Sequence, residues 1–347
     1  MKILWFGQTD PYGISVSYSN LINHYTKDEC RLVTFNESMG YDSDISFNRE
    51  LFGAFNMRPP EYFHQEFARL IDWCDTVIIN MGVSPGTENS EFKYDDSDFR
   101  INDVPFHVIV KEQQKKVFAF FLGSPSLRGN YQFYNKICRL RQWPIITCQT
   151  DIYRTISQNN KCKYIPILLD DSNPRYHNSI FDFSSNKTFN FGTISISHIP
   201  MYKNTDGKEK IFLSCDLARR SLGADSVKEF IIEYCSYIDS LCFKKQSFIG
   251  LDNTDGYYSI NSIENMLLGL INLVYLDQYA IDLISNDIGE PPPWEIIKSP
   301  EEMSEVYLKY FKNKNNLYDN MKSSYDFARY QWSGKNNIHK LVEALGV

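Results

Sequence analysis

Apolar residues in this chain come in short runs, each followed by a turn and then by apolar positions three and four apart. Strand-like runs alternating with helical spacing predict a parallel sheet covered by helices. Lys2–Phe6 is the first strand, Gly7 to Gly13 a glycine-containing loop, and Tyr18, Leu21, Ile22 and Tyr25 mark the helix after it. The alternation continues with a strand over Leu32–Phe35, a helix over Glu61–Trp73 and a strand over Thr76–Asn80. Residues 84–104, rich in Ser, Asn, Asp and Glu, read as a long surface loop. Helices are expected over Pro105–Lys116, Tyr131–Leu140 and Asp151–Ser157, with strands at Val117–Phe121 and Pro144–Cys148. Asp, Ser, Asn and Pro make residues 171–187 a linker. Beyond it come a strand at Phe189–Ile196, a helix ending near Leu222, and strands at Ser247–Asp252 and Ile271–Leu276. Residues 281–293 read as irregular and acidic. Ser299 caps a helix with Pro300 at its first position and Glu302 completing a capping box. Ile338, Leu341, Val342 and Leu345 give a last helix one apolar face. The fold class is α/β: a parallel-sheet domain over 1–170, the linker, a second parallel-sheet domain over 188–325, and C-terminal helices over 326–347.

Bulk properties narrow the class. A chain of 347 residues, 43% hydrophobic, can bury two cores. No run of eighteen apolar residues occurs, and the first apolar run breaks at Gly7 before a signal-peptide core is complete, so a soluble, cytoplasmic protein is expected. The eight cysteines contain no Cys-x-x-Cys pair, and the six histidines show no metal-ligand spacing. Net charge is −7 but uneven: −9 over residues 1–104, +8 over 105–165 and −6 over the remainder. The basic stretch fits either a polyanion site or charges scattered over solvated helix faces.

The stretch around which the chain is organised is Gly256-Tyr257-Tyr258-Ser259-Ile260, running into a helix through Glu264 to Gly269. Gly256 and Ser259 are small enough for backbone N–H groups to approach a ligand, and the helix N-terminus behind them suits an anion. An ordinary loop and buried helix with a solvated Glu accounts for the same spacing. Gly256, Tyr258, Glu264, Met266 and Gly269 resemble the Gly-x-Tyr-Gly-x-x-x-x-Glu-Ala-Met variant of the retaining GT-B glycosyltransferases of the family 4 type. Ser259 stands for a Gly, Asn265 for an Ala, and the first Glu of the common motif is missing. Weaker echoes lie at His198-Ile-Pro200, at Gly123-Ser124 with Arg128, and at Pro166 to Asp170.

The resemblance implies two Rossmann-like domains facing across a cleft, with the C-terminal helices packing back on the first. It implies transfer of a sugar, with retention, from a nucleotide-sugar donor to a hydroxyl acceptor without a metal. Glu264 would hold the donor ribose. Gly256, Tyr257, Tyr258, Ser259, Ile260 and His198 would surround the donor, and Lys203, Lys208 and Asp10 are the catalytic candidates, the lysines standing for the family's phosphate-gripping cations. Gly13, Ser124 and Arg128 would line the acceptor side. A saccharide or lipid-linked saccharide is the expected acceptor, which would place the protein in the cytoplasm or at the membrane periphery. DNA carrying a hydroxylated base, as for phage enzymes acting in host cytoplasm, is the alternative, with the basic stretch 105–165 on its phosphates. A binding relative that has lost catalysis is the reading from another class, favoured by the missing first Glu, Leu122 and Asp206.

Overall fold

The computed structural model describes residues 1–7, 13–34, 45–46, 61–81, 100–101, 104–122, 125–158, 161–177, 194–198, 205–232, 237–252 and 256–346. The chain divides into two compact units, Met1–Ile165 with Ile338–Val347, and Pro166–Asn337.

The first unit contains β1 (Lys2–Gly7), β2 (Glu29–Thr34), β3 (Ile45–Ser46) and β4 (Thr76–Met81). A short antiparallel hairpin, β5 (Arg100–Ile101) and β6 (Val104–Pro105), precedes β7 (Lys116–Phe121), β8 (Ile145–Thr147) and β9 (Cys162–Tyr164). All but the hairpin form one sheet in the order β3-β2-β1-β4-β7-β8-β9, with every neighbouring pair parallel. Both faces are covered, which is why the strands read as unbroken apolar runs. Leu4 and Phe6 pack with Phe67, Ile71 and Phe106 on one face. On the other, Trp5 meets Tyr18 and Phe120 with centroids 5.7 and 5.0 Å away. Where the strand order reverses, between β1 and β4, Gly7 lets the strands close up: a Cβ there would lie 2.6 Å from that of Asn80. The Asn80 amide bridges β1 and the helix Ile14–Tyr25, accepting from Trp5 Nε1 at 2.7 Å and donating to Ser15 Oγ at 2.8 Å.

The second unit has β10 (Ile194–His198), β11 (Val227–Ile231), β12 (Ile249–Leu251), β13 (Ile271–Val274) and β14 (Glu295–Ile296), again all parallel, in the order β11-β10-β12-β13-β14. Ile196, Ile249, Leu251, Ile271 and Leu273 form its centre, with Ile211 and Cys215 of helix Thr205–Leu222 and Met303 and Tyr307 of helix Pro300–Lys312 packed on them.

The structure departs from the hydrophobic pattern in several places. Residues 281–293 are not irregular throughout, because a helix spans Gln278–Ile288. Asp277 caps it, accepting from Ala280 N, and Gly289 at φ 102° ends it, while the prolines beyond disguise it. The helix expected at Tyr131 begins at Pro125, a residue that suits a first turn. The helix expected to reach Lys116 stops at Glu112, and Gln114 turns the chain at φ 54°. The end of the expected loop 84–104 enters the β5–β6 hairpin, and residues 84–99 lie outside the described residues. The strand expected from Phe189 is described from Ile194 onward, as β10. Helices Tyr237–Lys245 and Lys314–Tyr330 had no clear sequence signal.

Candidate functional site

In open parallel sheets ligands bind outside the carboxyl ends of the strands where the order reverses. In the second unit that point lies between β10 and β12, where His198 is in register with Leu251. Asp252 follows directly, and after residues 253–255, outside the described set, the chain returns at Gly256. Its φ of 87° is one that glycine adopts without strain. Ser259 caps the helix Ile260–Leu267, its Oγ accepting from Asn261 N at 3.1 Å. The far end is a Schellman turn: Leu270 N donates to Asn265 O and Gly269 N to Met266 O, both at 2.8 Å, with Gly269 at φ 75°. Gly269, which matches the family motif, therefore serves the helix terminus.

Asp252, 2% exposed, pins the loop from below. Its carboxylate accepts from Ser259 N at 2.6 Å, from Ser259 Oγ, and from Ser262 Oγ at 2.5 Å. Ser262 in turn accepts from Asn272 Nδ2 at 3.0 Å, and Asn272 Oδ1 accepts from Asn265 Nδ2 at 2.8 Å. The donors run one way along this chain, ending on the carboxylate, an arrangement in which each bond polarises the next. Burial pushes the Asp252 carboxyl above its ordinary value, against the bonds from Ser259 and Ser262 and the charge of Lys244. Asn265, where the family has Ala, fits because β12 carries Gly250 beneath it: a Cβ on Gly250 would come within 2.4 Å of the Asn265 amide.

Glu264 is 1% exposed rather than aimed outward along the helix edge. Its Oε2 pairs with Lys244 Nζ, and its Oε1 accepts from Tyr237 OH. Lys244, buried at the end of helix Tyr237–Lys245, also donates to Asn261 Oδ1 at 2.7 Å. Tyr237 OH lies 3.1 Å from Tyr176 OH, and its ring faces the Arg175 guanidinium. Burial, then the nearby Glu264 charge, pushes the Tyr176 phenol up. Sequence reasoning missed Lys244 and Tyr237 because both lie in a segment without a clear pattern, about twenty residues from the motif. Asp252 was legible as the polar residue ending a strand.

Tyr258 is fully buried, and its ring supports the loop. Its hydroxyl accepts from Ile167 N at 3.1 Å, and the Trp332 indole donates to Ile167 O at 2.7 Å. Both groups of one peptide residue are thus held by aromatic side chains. Tyr258, Trp294 and Trp332 pack mutually with centroids 5.6 to 5.7 Å apart. Tyr257, Ser259 and Ile260 remain partly accessible.

The structure brings Gly256, Tyr257, Tyr258, Ser259, Ile260 and Glu264 together, and the backbone of His198 ends the strand beside them, in register with Leu251. Lys208 is partly buried near the amino end of helix Thr205–Leu222. Gly13 stands at φ 65° before helix Ile14–Tyr25, its carbonyl accepting from Ser17 N. Arg128 lies in helix Pro125–Arg141, not in a turn, and its side chain, like that of His198, is outside the described set. Asp10, Ser124 and Lys203 lie outside the described residues. Most of the basic stretch lies at the end of the first sheet opposite to the ligand end. Lys111, Lys115, Lys116, Arg139, Arg141 and Lys161 lie at the amino ends of β7, β8 and β9, or at the ends of the helices leading into them. Lys115, Lys116 and Lys163 donate to backbone carbonyls of Cys74, Gly346 and Glu343. No described helix is long and apolar enough to cross a membrane.

No protein-family model matches this sequence, and no curated protein is significantly similar to it. Solved structures are similar along the full length. An alpha-glucosyltransferase in complex with UDP-glucose and DNA containing an abasic site superposes with a TM-score of 0.61 at 12% identity, covering 100% of both chains. HepE of Anabaena, in complex with UDP and glucose, gives 0.59 at 10% identity over 99% of both chains. A glycosyltransferase from Rickettsia africae gives 0.55 at 11% identity, over 99% of this chain and 97% of that one. The architecture is the GT-B fold, two parallel-sheet α/β domains of Rossmann type.

Proposed function

We propose that this protein is a glycosyltransferase that moves a sugar from a nucleotide-sugar donor to a hydroxyl acceptor, with retention at the anomeric carbon. The observation that carries the reading is the element at the switch point of the second sheet. There a capped helix with accessible residues at its start follows a glycine turn, and one carboxylate, Glu264, sits in its second turn. UDP in the fold neighbours supports the donor class. On this reading the diphosphate lies against the loop at Gly256 to Ser259, with Lys203 and Lys208 meeting the charge it gains as the glycosidic bond breaks. Glu264 accepts from the ribose hydroxyls. The departing phosphate takes the acceptor proton on the face it leaves. Transfer is expected to persist in EDTA.

A saccharide or lipid-linked saccharide is the first acceptor to try. DNA with a hydroxymethylated base is the second, favoured by full-length similarity to a DNA-bound glucosyltransferase. The placement of Lys111, Lys115, Lys116, Arg139, Arg141 and Lys161 at the opposite end of the sheet counts against those six as DNA contacts.

The test is a thermal-shift panel of UDP, GDP, ADP, CMP and TDP and their sugars on the wild type and on Glu264→Gln. A ligand at one hundred times its dissociation constant adds about 2.7 kcal/mol. One nucleotide stabilising the wild type, with the effect lost in the variant, supports the reading and names the donor for transfer assays. No stabilisation by any of them, with no sugar nucleotide hydrolysed or transferred, refutes it.

A further inference from the structure

Glu264 and Lys244 form a buried ion pair in the second unit, each side chain 3% exposed or less. Replacing such a pair by apolar residues of similar size is often neutral or stabilising, so burial energy alone gives little reason for it. Its geometry supplies another. An ionised carboxylate has about four lone-pair sites. Lys244 Nζ takes one on Oε2 and Tyr237 OH one on Oε1. By that count one site remains on each oxygen, as many as two adjacent hydroxyls require. Neither partner is loose: Lys244 is fixed by Asn261 at 2.7 Å, and Tyr237 by Tyr176 at 3.1 Å. Tyr237, which touches the carboxylate, and Asn261, which touches the ammonium, are themselves partly accessible.

We propose that Lys244 is a positioning residue that aims the Glu264 carboxylate at the vicinal diol of a ribonucleotide, and so makes the site select ribonucleotide over 2′-deoxyribonucleotide donors. This rests on the donor reading above. Without Lys244 the carboxylate loses its counter-charge and the partner that fixes its rotamer, and its two oxygens are no longer held toward one ligand.

The experiment measures binding of UDP and of 2′-deoxy-UDP by calorimetry to the wild type, Lys244→Met, Lys244→Gln, Lys244→Arg and Tyr237→Phe. A hydrogen bond to a charged acceptor corresponds to roughly ten- to hundredfold in affinity, so the wild type is expected to prefer UDP by that factor. Lys244→Met is expected to bring the two affinities within about twofold, Lys244→Arg to restore most of the preference, and Tyr237→Phe to reduce it partly. Lys244→Gln carries the test if Lys244→Met does not fold; an unchanged preference there overturns the proposal. So does a folded Lys244→Met that keeps the wild-type preference, and in that case UDP binding by the wild type leaves the donor reading standing. A wild type that binds neither nucleotide overturns both for this donor.

Discussion

Removing one oxygen atom tests how the glycine loop is held. Tyr258→Phe keeps the ring, with its packing on Trp294 and Trp332, and deletes the hydroxyl that accepts from Ile167 N. Ile167 and Tyr258 are both fully buried, so no water replaces the lost acceptor. A buried donor left unsatisfied costs about 1–3 kcal/mol. In a unit of this size each kcal/mol lowers the melting midpoint by about 2–4 °C, so a fall between about 2 and 12 °C is expected. The local readout is sharper: amide exchange at Ile167 should accelerate more than at the β12 and β13 amides. Trp332→Phe frees the carbonyl of the same residue, and the two changes should couple by about 0.5–3 kcal/mol in a double-mutant cycle. An unaltered midpoint together with unaltered exchange at Ile167 would mean that this hydrogen bond does not hold the loop, and the reasoning would fail.

Two further outcomes are expected. Gly250→Ala drives a methyl to within 2.4 Å of the buried Asn265 amide, so it should cost about 1–3 kcal/mol in urea unfolding, and adding Asn265→Ala should recover part of that; full stability of the single variant would refute the close approach. Asp252 has a carboxyl raised above 3.8, so its native state holds a proton more tightly than its unfolded state. Its contribution is therefore fully present below pH 3.8 and declines as pH rises through the raised value. Asp252→Asn should flatten the stability–pH curve over that window, and an unchanged slope would exclude this group as its source.

Regular parallel strands were the most legible part of the sequence. Buried on both faces, they appear as continuous apolar runs such as Lys2–Phe6 and Val117–Phe121, which need no tertiary information to recognise. Helix Gln278–Ile288 was hidden because its buried face consists of only Ala280, Ile284 and Ile288, spaced by four, with three prolines just beyond. The loop-and-helix motif was visible from its small residues and its single Glu. Its electrostatics were not: the charge on Glu264 is answered by a lysine on another helix, and no local pattern connects positions 244 and 264. Tyr258 has a second role that the sequence did not show, since its hydroxyl accepts from the backbone of Ile167, ninety-one residues away.

The division of the chain also has a consequence in time. The first unit draws its last ten residues, including fully buried Leu341 and Leu345, from beyond the whole of the second. At about 5–20 residues per second of synthesis, roughly 10–40 s separate Ile165 from those residues. Through that interval the nascent first unit carries an uncovered apolar surface, whereas the second needs nothing made later than Asn337. The unit synthesised first is therefore the one completed last, and its unfinished surface is where a chaperone would be expected to bind during translation.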